Sequence, residues 1–220
     1  TTINFSNVVA RSANFTNCTF DNTNNFTNTD FTNANFTGST LNNCDLSSAI
    51  LSGVLSGGMQ GTGASLPSGF AFAGGFILGP GVNLTGKTLN NLDLTGVNLT
   101  NAILTGASVD NTILTDVNFT GVSSGGITGT PAAISATASI KFGYIFAPYV
   151  NLDGLTLNNV SLDNVNVSYA SLQNVSITNS VLTYVNFTGA TLTNVSFNGS
   201  QLDITDTMWH TSLVNIDFTN

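Results

Sequence analysis

The chain has 220 residues, enough for one ordinary domain or one solenoid, and 41% of them are hydrophobic, which is the composition of a chain that folds. Only 6% are charged, against roughly 25% in a typical soluble protein, so the polar surface has to be built from Asn, Thr, Ser and Gly. Eleven Asp, no Glu and only Arg11, Lys87 and Lys141 give a net charge of −8 and an isoelectric point near 4.1, which excludes the basic stripe that nucleic-acid phosphates require.

Apolar residues recur every five positions, a period that belongs neither to a helix nor to an isolated strand and that marks an internal repeat. The pattern is running at Ile3-Asn4-Phe5-Ser6, passes through Phe15 and Phe20, slips by one residue, and resumes at Phe26, Phe31, Phe36, Leu41, Leu46 and Leu51. Cys18 and Cys44 each stand two residues before a large centre, at a small-residue position, and are expected to be buried free thiols filling small apolar space. Between about 56 and 81 the pattern breaks, beginning with Ser56-Gly57-Gly58 and ending in the aromatic residues Phe70, Phe72 and Phe76. It returns at Leu84, Leu89, Leu94, Leu99, Leu104, Val109, Leu114 and Phe119, with small or β-branched residues such as Val82, Val97, Ala102, Ala107 and Val117 two places earlier. A second break, from about 124 to 149, opens with Ser124-Gly125-Gly126 and carries Phe142, Tyr144, Phe146 and Tyr149. Centres then run from Leu152 through Leu162, Leu172, Leu182, Phe187 and Phe197 to Leu202. Register is lost at Met208-Trp209-His210, for which a structural or capping role is expected, and is recovered at Ile216-Asp217-Phe218-Thr219.

Units such as Ala34-Asn35-Phe36-Thr37-Gly38 and Val97-Asn98-Leu99-Thr100-Asn101 resemble the A(D/N)Lxx motif of the pentapeptide-repeat family over roughly three quarters of the chain. The resemblance implies an all-β fold, a right-handed quadrilateral β-helix with four pentapeptides per coil, centres stacked inside and polar positions forming four flat faces. Spacing independently supports a coil of 20 residues. The signature Asn-(Phe/Leu)-x-Gly-x-Thr-Leu-Asn-Asn begins at Asn35, Asn83 and Asn151, at intervals of 48 (83 − 35) and 68 (151 − 83) that differ by 20. The two breaks align with each other at an offset of 68, Gly61-Thr62 with Gly129-Thr130 and Pro80 with Pro148, so they are homologous inserts of about 28 residues. Equal length predicts that both emerge on one side of the prism, the Gly-rich stretches being the turns through which the chain leaves it.

Chemistry-bearing constellations are scarce. His210 is the single histidine, neither Cys has a second at CxxC spacing, and no calcium-loop pattern is present, so the residues point to no catalytic site, no metal and no cofactor. The pair Asp203 and Asp206 offers at most a weak cation contact. No apolar run approaches the ~20 residues that span a bilayer, and no basic-then-apolar leader opens the sequence. Asn-x-Thr sequons at Asn14, Asn35, Asn83, Asn98, Asn118 and Asn186 arise from the repeat itself.

These observations predict a non-enzymatic structural protein, a β-solenoid strut of a filament, virion or cell-surface assembly, extracellular rather than cytoplasmic. Its expected partners are further copies of itself or other structural proteins, with no nucleic acid and no membrane span. The insert residues Phe70, Phe72, Phe76, Phe142, Tyr144, Phe146 and Tyr149 either pin the inserts to the prism or form an interaction surface, and Phe5 and Phe218 are expected to mediate end-to-end stacking. Two alternatives compete. Some pentapeptide-repeat proteins act as DNA-mimicking inhibitors of type II topoisomerases, but here the acids are about one per coil, far from the charge density of a duplex. Outward Thr and Asn ladders also suit an ice-binding surface, although period alone creates them.

Overall fold

In the computed structural model, which describes residues 3–203 and 211–219, each five-residue unit is a bridge residue followed by a tight corner. Residues 97–101 show how the sequence makes one. Asn98 forms a parallel bridge to Asn118 of the next coil, and Leu99 turns inward and is completely buried. The chain then bends through Thr100 and Asn101, and Ala102 N–H closes the turn on Leu99 C=O at 2.8 Å. Asn101 sits at φ +58°, in the left-handed region that Asn and Gly tolerate best, which is why the fifth position of the repeat is so often one of these two. The Asn98 Oδ1 accepts from the Thr100 N–H and hydroxyl at 3.0 and 2.6 Å, so Asn-x-Thr supplies its own corner brace.

Four such corners make a coil, and successive coils are joined by parallel backbone bridges along each face. Most strands are therefore two or three residues long, the exceptions being the six-residue Thr191–Ser196 and Ser212–Asp217, which continue through corners at Asn194 and Asn215, and no helix occurs among the described residues. The solenoid has about ten turns. One column runs its whole depth through Asn14, Asn35, Leu55, Asn83, Ile103, Ser123, Asn151, Ser171, Thr191 and Ser212. Inside, the centre residues Leu84, Leu89, Leu94, Leu99, Leu104 and Leu114 are all fully buried, with Val82, Ala102 and Ala107 beside them. The N-terminal coils fill the same interior with rings: Phe5 stacks on Phe26 at 5.4 Å and Phe15 on Phe36 at 5.2 Å, each pair one coil apart. The one-residue slip makes the first coil 21 residues (35 − 14), and the extra residue is absorbed at Asn24, whose side chain turns back to accept from Asp21 N–H.

The inserts differ from the sequence expectation in an informative way. They are not excursions added to complete coils; each is itself a coil, 28 residues long (83 − 55 and 151 − 123). Leu55, Gln60 and Ser65 bridge to the preceding coil on three faces, and only the fourth face is replaced by an antiparallel hairpin, Ala71–Ala73 with Phe76–Leu78. The second hairpin, Ser139–Lys141 with Tyr144–Phe146, follows Ser123, Thr128 and Ala133 in the same manner. Because Asn83 and Asn151 belong to one column, both hairpins interrupt the same face.

Ser56-Gly57-Gly58 and Ser124-Gly125-Gly126 are accordingly not exits from the prism. Ser56 and Ser124 occupy centre positions, and they are short because the hairpin's second strand fills the interior in their place. Ile77 and Leu78 are fully buried, and Ile77 N–H donates to Ser56 Oγ at 3.1 Å; Ile145 N–H donates to Ser124 Oγ at 2.9 Å. Gly61, at the next centre, lies so close to the Leu41 carbonyl that a Cβ there would stand 2.3 Å from its oxygen.

Candidate interaction surface

The outer faces are ladders of small polar side chains. Asn215 donates to Asn194 and Asn194 to Asn174, each at 3.0 Å, so one amide ladder crosses three coils, and Asn111 bonds Asn91 at the same distance. Such ladders tie coil to coil and leave a surface of fixed spacing but little charge.

Several of the acids, Asp30, Asp45, Asp93 and Asp217 among them, are held in the same corner braces as the asparagines. Thr32 donates to Asp30 through its hydroxyl and its amide, and Arg11 Nε lies 2.6 Å from the carboxylate. Together, in that order of importance, they hold the Asp30 carboxyl down at about 2. Asp45 and Asp93 are lowered by the hydroxyls of Ser47 and Thr95 two residues on. These carboxylates are spoken for by their own turns: Asp30 and Asp217 stand in separate columns, and Asp45 and Asp93, each ten residues past a member of the Asn35–Asn83 column, share a third, two coils apart. Among the described residues no cluster of His, Cys, Asp or Glu could hold a metal ion, and no helix is long and apolar enough to cross a membrane. Met208, Trp209, His210 and Asp206 lie outside the described residues.

The insert aromatics divide by position. Phe76 and Phe146 are buried in the core, so they pin the hairpins and present nothing to a partner. Phe70, Phe72 and Tyr144 are half-buried and pack against that core, whereas Phe142 and Tyr149 are about half exposed, at 50% and 49%. Two exposed tyrosines were not singled out from the sequence: Tyr169, which stacks on Tyr149 at 4.8 Å and 8°, and Tyr184 on a different corner. The signal for both was present, since each is a bulky ring at the fifth repeat position, where φ is positive and Asn or Gly is the rule. At the ends, Phe5 is half-buried against the Phe26 ring, and Phe218 is 45% exposed with one face on Phe197 at 5.6 Å. Cys44 is buried and Cys18 half-buried, both as free thiols; burial first, and Asp21 second, push the Cys44 thiol up to about 11.

Corner, column and core thus define a four-sided β-solenoid built from pentapeptides. Family models described as "Pentapeptide repeats (9 copies)" and "Pentapeptide repeats (8 copies)" match residues 4–50, and 81–122 with 170–203, respectively. The chain belongs to the pentapeptide-repeat family. The unmatched segments include both hairpin-bearing coils. A comparison with curated proteins gives no match. Similar solved structures include HetL, a pentapeptide repeat protein involved in heterocyst differentiation regulation from the cyanobacterium Nostoc sp. strain PCC 7120, at 20% identity and TM-score 0.27, covering 98% of this chain and 87% of that one. Rfr23 from the cyanobacterium Cyanothece 51142 is 18% identical with TM-score 0.28, covering 63% and 84%. QnrB1, a plasmid-mediated fluoroquinolone resistance protein, is 14% identical with TM-score 0.26, covering 99% and 92%.

Proposed function

We propose that this chain is a non-enzymatic structural protein, a rigid β-solenoid strut of a filament, virion or cell-surface assembly that acts through protein–protein contacts and end-to-end stacking. The observation that carries this reading is the ten-deep bridged column, continuous through both hairpin-bearing coils, because an array in which every coil is bonded to the next transmits load and resists bending. The outermost coils extend the reading to self-association. Ile3 and Val9 are 45% and 71% exposed at one end, and Leu213, Val214 and Phe218 are 47%, 47% and 45% exposed at the other. Among the described residues the strand Ser212–Asp217 pairs with Thr191–Ser196 alone, and a further coil laid on its other edge would extend the same ladder. A second copy stacked head to tail would continue the column, a heterologous contact that propagates into a fibre. The sparseness of the acids, about one per coil and spread over several columns, favours a strut over a rod imitating duplex DNA.

The test is sedimentation velocity over a concentration series, with electron microscopy of the same samples. The expected result is concentration-dependent growth into linear particles, abolished by combining Phe5→Lys with Phe218→Lys. A particle of unchanged mass at every concentration would overturn end-to-end stacking.

A further inference from the structure

The two homologous inserts create the same groove twice, between the prism wall and the leg of the hairpin, and line it differently. The first groove, of ≈390 Å³, is bordered by Ile50, Phe70, Pro80 and Gly81; the second, of ≈350 Å³, has Asn118, Ala138, Pro148 and Tyr149 at the equivalent places 68 residues on. The second also gains Asp116, Ser135 and Thr137. An apolar crease in one insert has become, in the other, a polar groove with an aromatic ring at its edge.

Tyr149 is costly to place there. Its corner column reads Asn33, Gly53, Gly81, Asn101, Gly121, Tyr149, Tyr169, Gly189, all at positive φ between +58° and +71°. A bulky ring in the left-handed region is an outlier, and core packing does not repay it, since Tyr149 and Tyr169 are 49% and 51% exposed. Both bulky rings in this stretch of the column stand at and directly behind the polar groove. Tyr169 backs Tyr149 in near-parallel contact, which fixes the orientation of the ring before anything binds.

The lining also states the chemistry. Asn118 uses its Oδ1 to accept from Thr120 N–H, which leaves its amide hydrogens for a ligand, and Ser135 Oγ accepts from Asp116 N–H, which leaves its hydroxyl proton. Asp116 and Thr137 are exposed. Among the described residues no Lys, Arg or His lines the groove, so none of them offers an anion a partner there. A flat apolar ring face beside a carboxylate, an amide and hydroxyls is the arrangement that suits a ring with one C–H face and a rim of hydroxyl groups. We propose that the groove of the second insert is a binding site for a neutral saccharide, one pyranose ring stacking on Tyr149 while its hydroxyls bond Asp116, Asn118 and Ser135 or Thr137. The first groove, with Gly81 and Ile50, does not share this specificity.

Saturation-transfer NMR on the intact chain tests this with methyl glucoside, methyl galactoside, N-acetylglucosamine, cellobiose and chitobiose, and with choline as a cationic alternative. At least one neutral saccharide is expected to receive saturation at its ring C–H protons. Tyr149→Gly, which reproduces the backbone-compatible residue of the first groove, should weaken that binding roughly tenfold or more. Tyr149→Phe should retain it, Asp116→Asn should reduce it, and Tyr184→Ala, at another corner, should leave it unchanged. Absence of saturation with every saccharide, binding that survives Tyr149→Gly, or binding of choline alone would each overturn the proposal.

Discussion

The repeat pattern alone recommends Ser56→Leu, because Leu or Phe stands at almost every other centre and burying a Leu side chain stabilises by about 1.5–3 kcal/mol. The structure reverses the sign. Ser56 is fully buried, and the volume a larger side chain would need is already occupied by Ile77 and Leu78, both at 0% exposure. Forcing methylenes into a filled core costs about 1–3 kcal/mol. The substitution also removes the acceptor of the buried Ile77 N–H, and an unsatisfied buried donor costs about 1–3 kcal/mol more. The expected destabilisation is therefore about 2–6 kcal/mol, a large share of the ~5–15 kcal/mol that holds a domain folded. Ser56→Ala isolates the hydrogen-bond part and should lose only about 1–3 kcal/mol. Guanidinium unfolding of the three proteins, with limited proteolysis to detect hairpin release, measures both quantities. A Ser56→Leu protein as stable as the parent would refute the assignment of the hairpin strand to the interior.

Three further outcomes follow from the same geometry. Leu99→Asp, which puts a carboxyl into the fully buried centre column, should cost several kcal/mol, on the order of 4 or more. Thr100→Asp should cost only about 1 kcal/mol, for the hydroxyl bond to Asn98; equal melting temperatures would mean that inside and outside have been exchanged. The Asp30 carboxyl is held at about 2 in the fold against an ordinary 3.8, so the folded state resists protonation. Its stabilisation is complete above the unfolded value and is lost as pH falls towards about 2, and the other lowered carboxyls add to the loss. Melting temperatures from about pH 6 to about pH 2 should fall steeply below pH ~4, and less steeply in Thr32→Val or Asp30→Asn; identical profiles would contradict the bracing. Finally, the buried Cys44 thiol, pushed up to about 11, should remain unlabelled by iodoacetamide at neutral pH until the chain is unfolded, and a labelled native Cys44 peptide by mass spectrometry would show that the core is open there.

What the sequence determined by itself is everything that follows from a period of five. A centre such as Leu94 or Phe31 is buried because each unit turns its centre and the small residue before it inward, and the corner residue is mostly Asn or Gly because the corner needs positive φ; both constraints are local and recur in every coil, so they are written into the order of residues. Coil length could be read from the 48- and 68-residue intervals, because the same column must be revisited. What tertiary structure alone decided is who fills a space that the chain leaves empty. Ser56, Gly61 and Ser124 look like broken repeats until Ile77 and Ile145 are seen bonded to the serines, and Phe76 and Phe146 look like surface aromatics until the hairpins fold back into the core. The Tyr149–Tyr169 stack was hidden for a related reason: residues 20 apart become neighbours only once coils are stacked, and a side chain at a corner has no periodic pattern to announce what it faces. Period specifies the local turn and the inward residue, whereas non-periodic contacts depend on which distant atoms arrive at the same place.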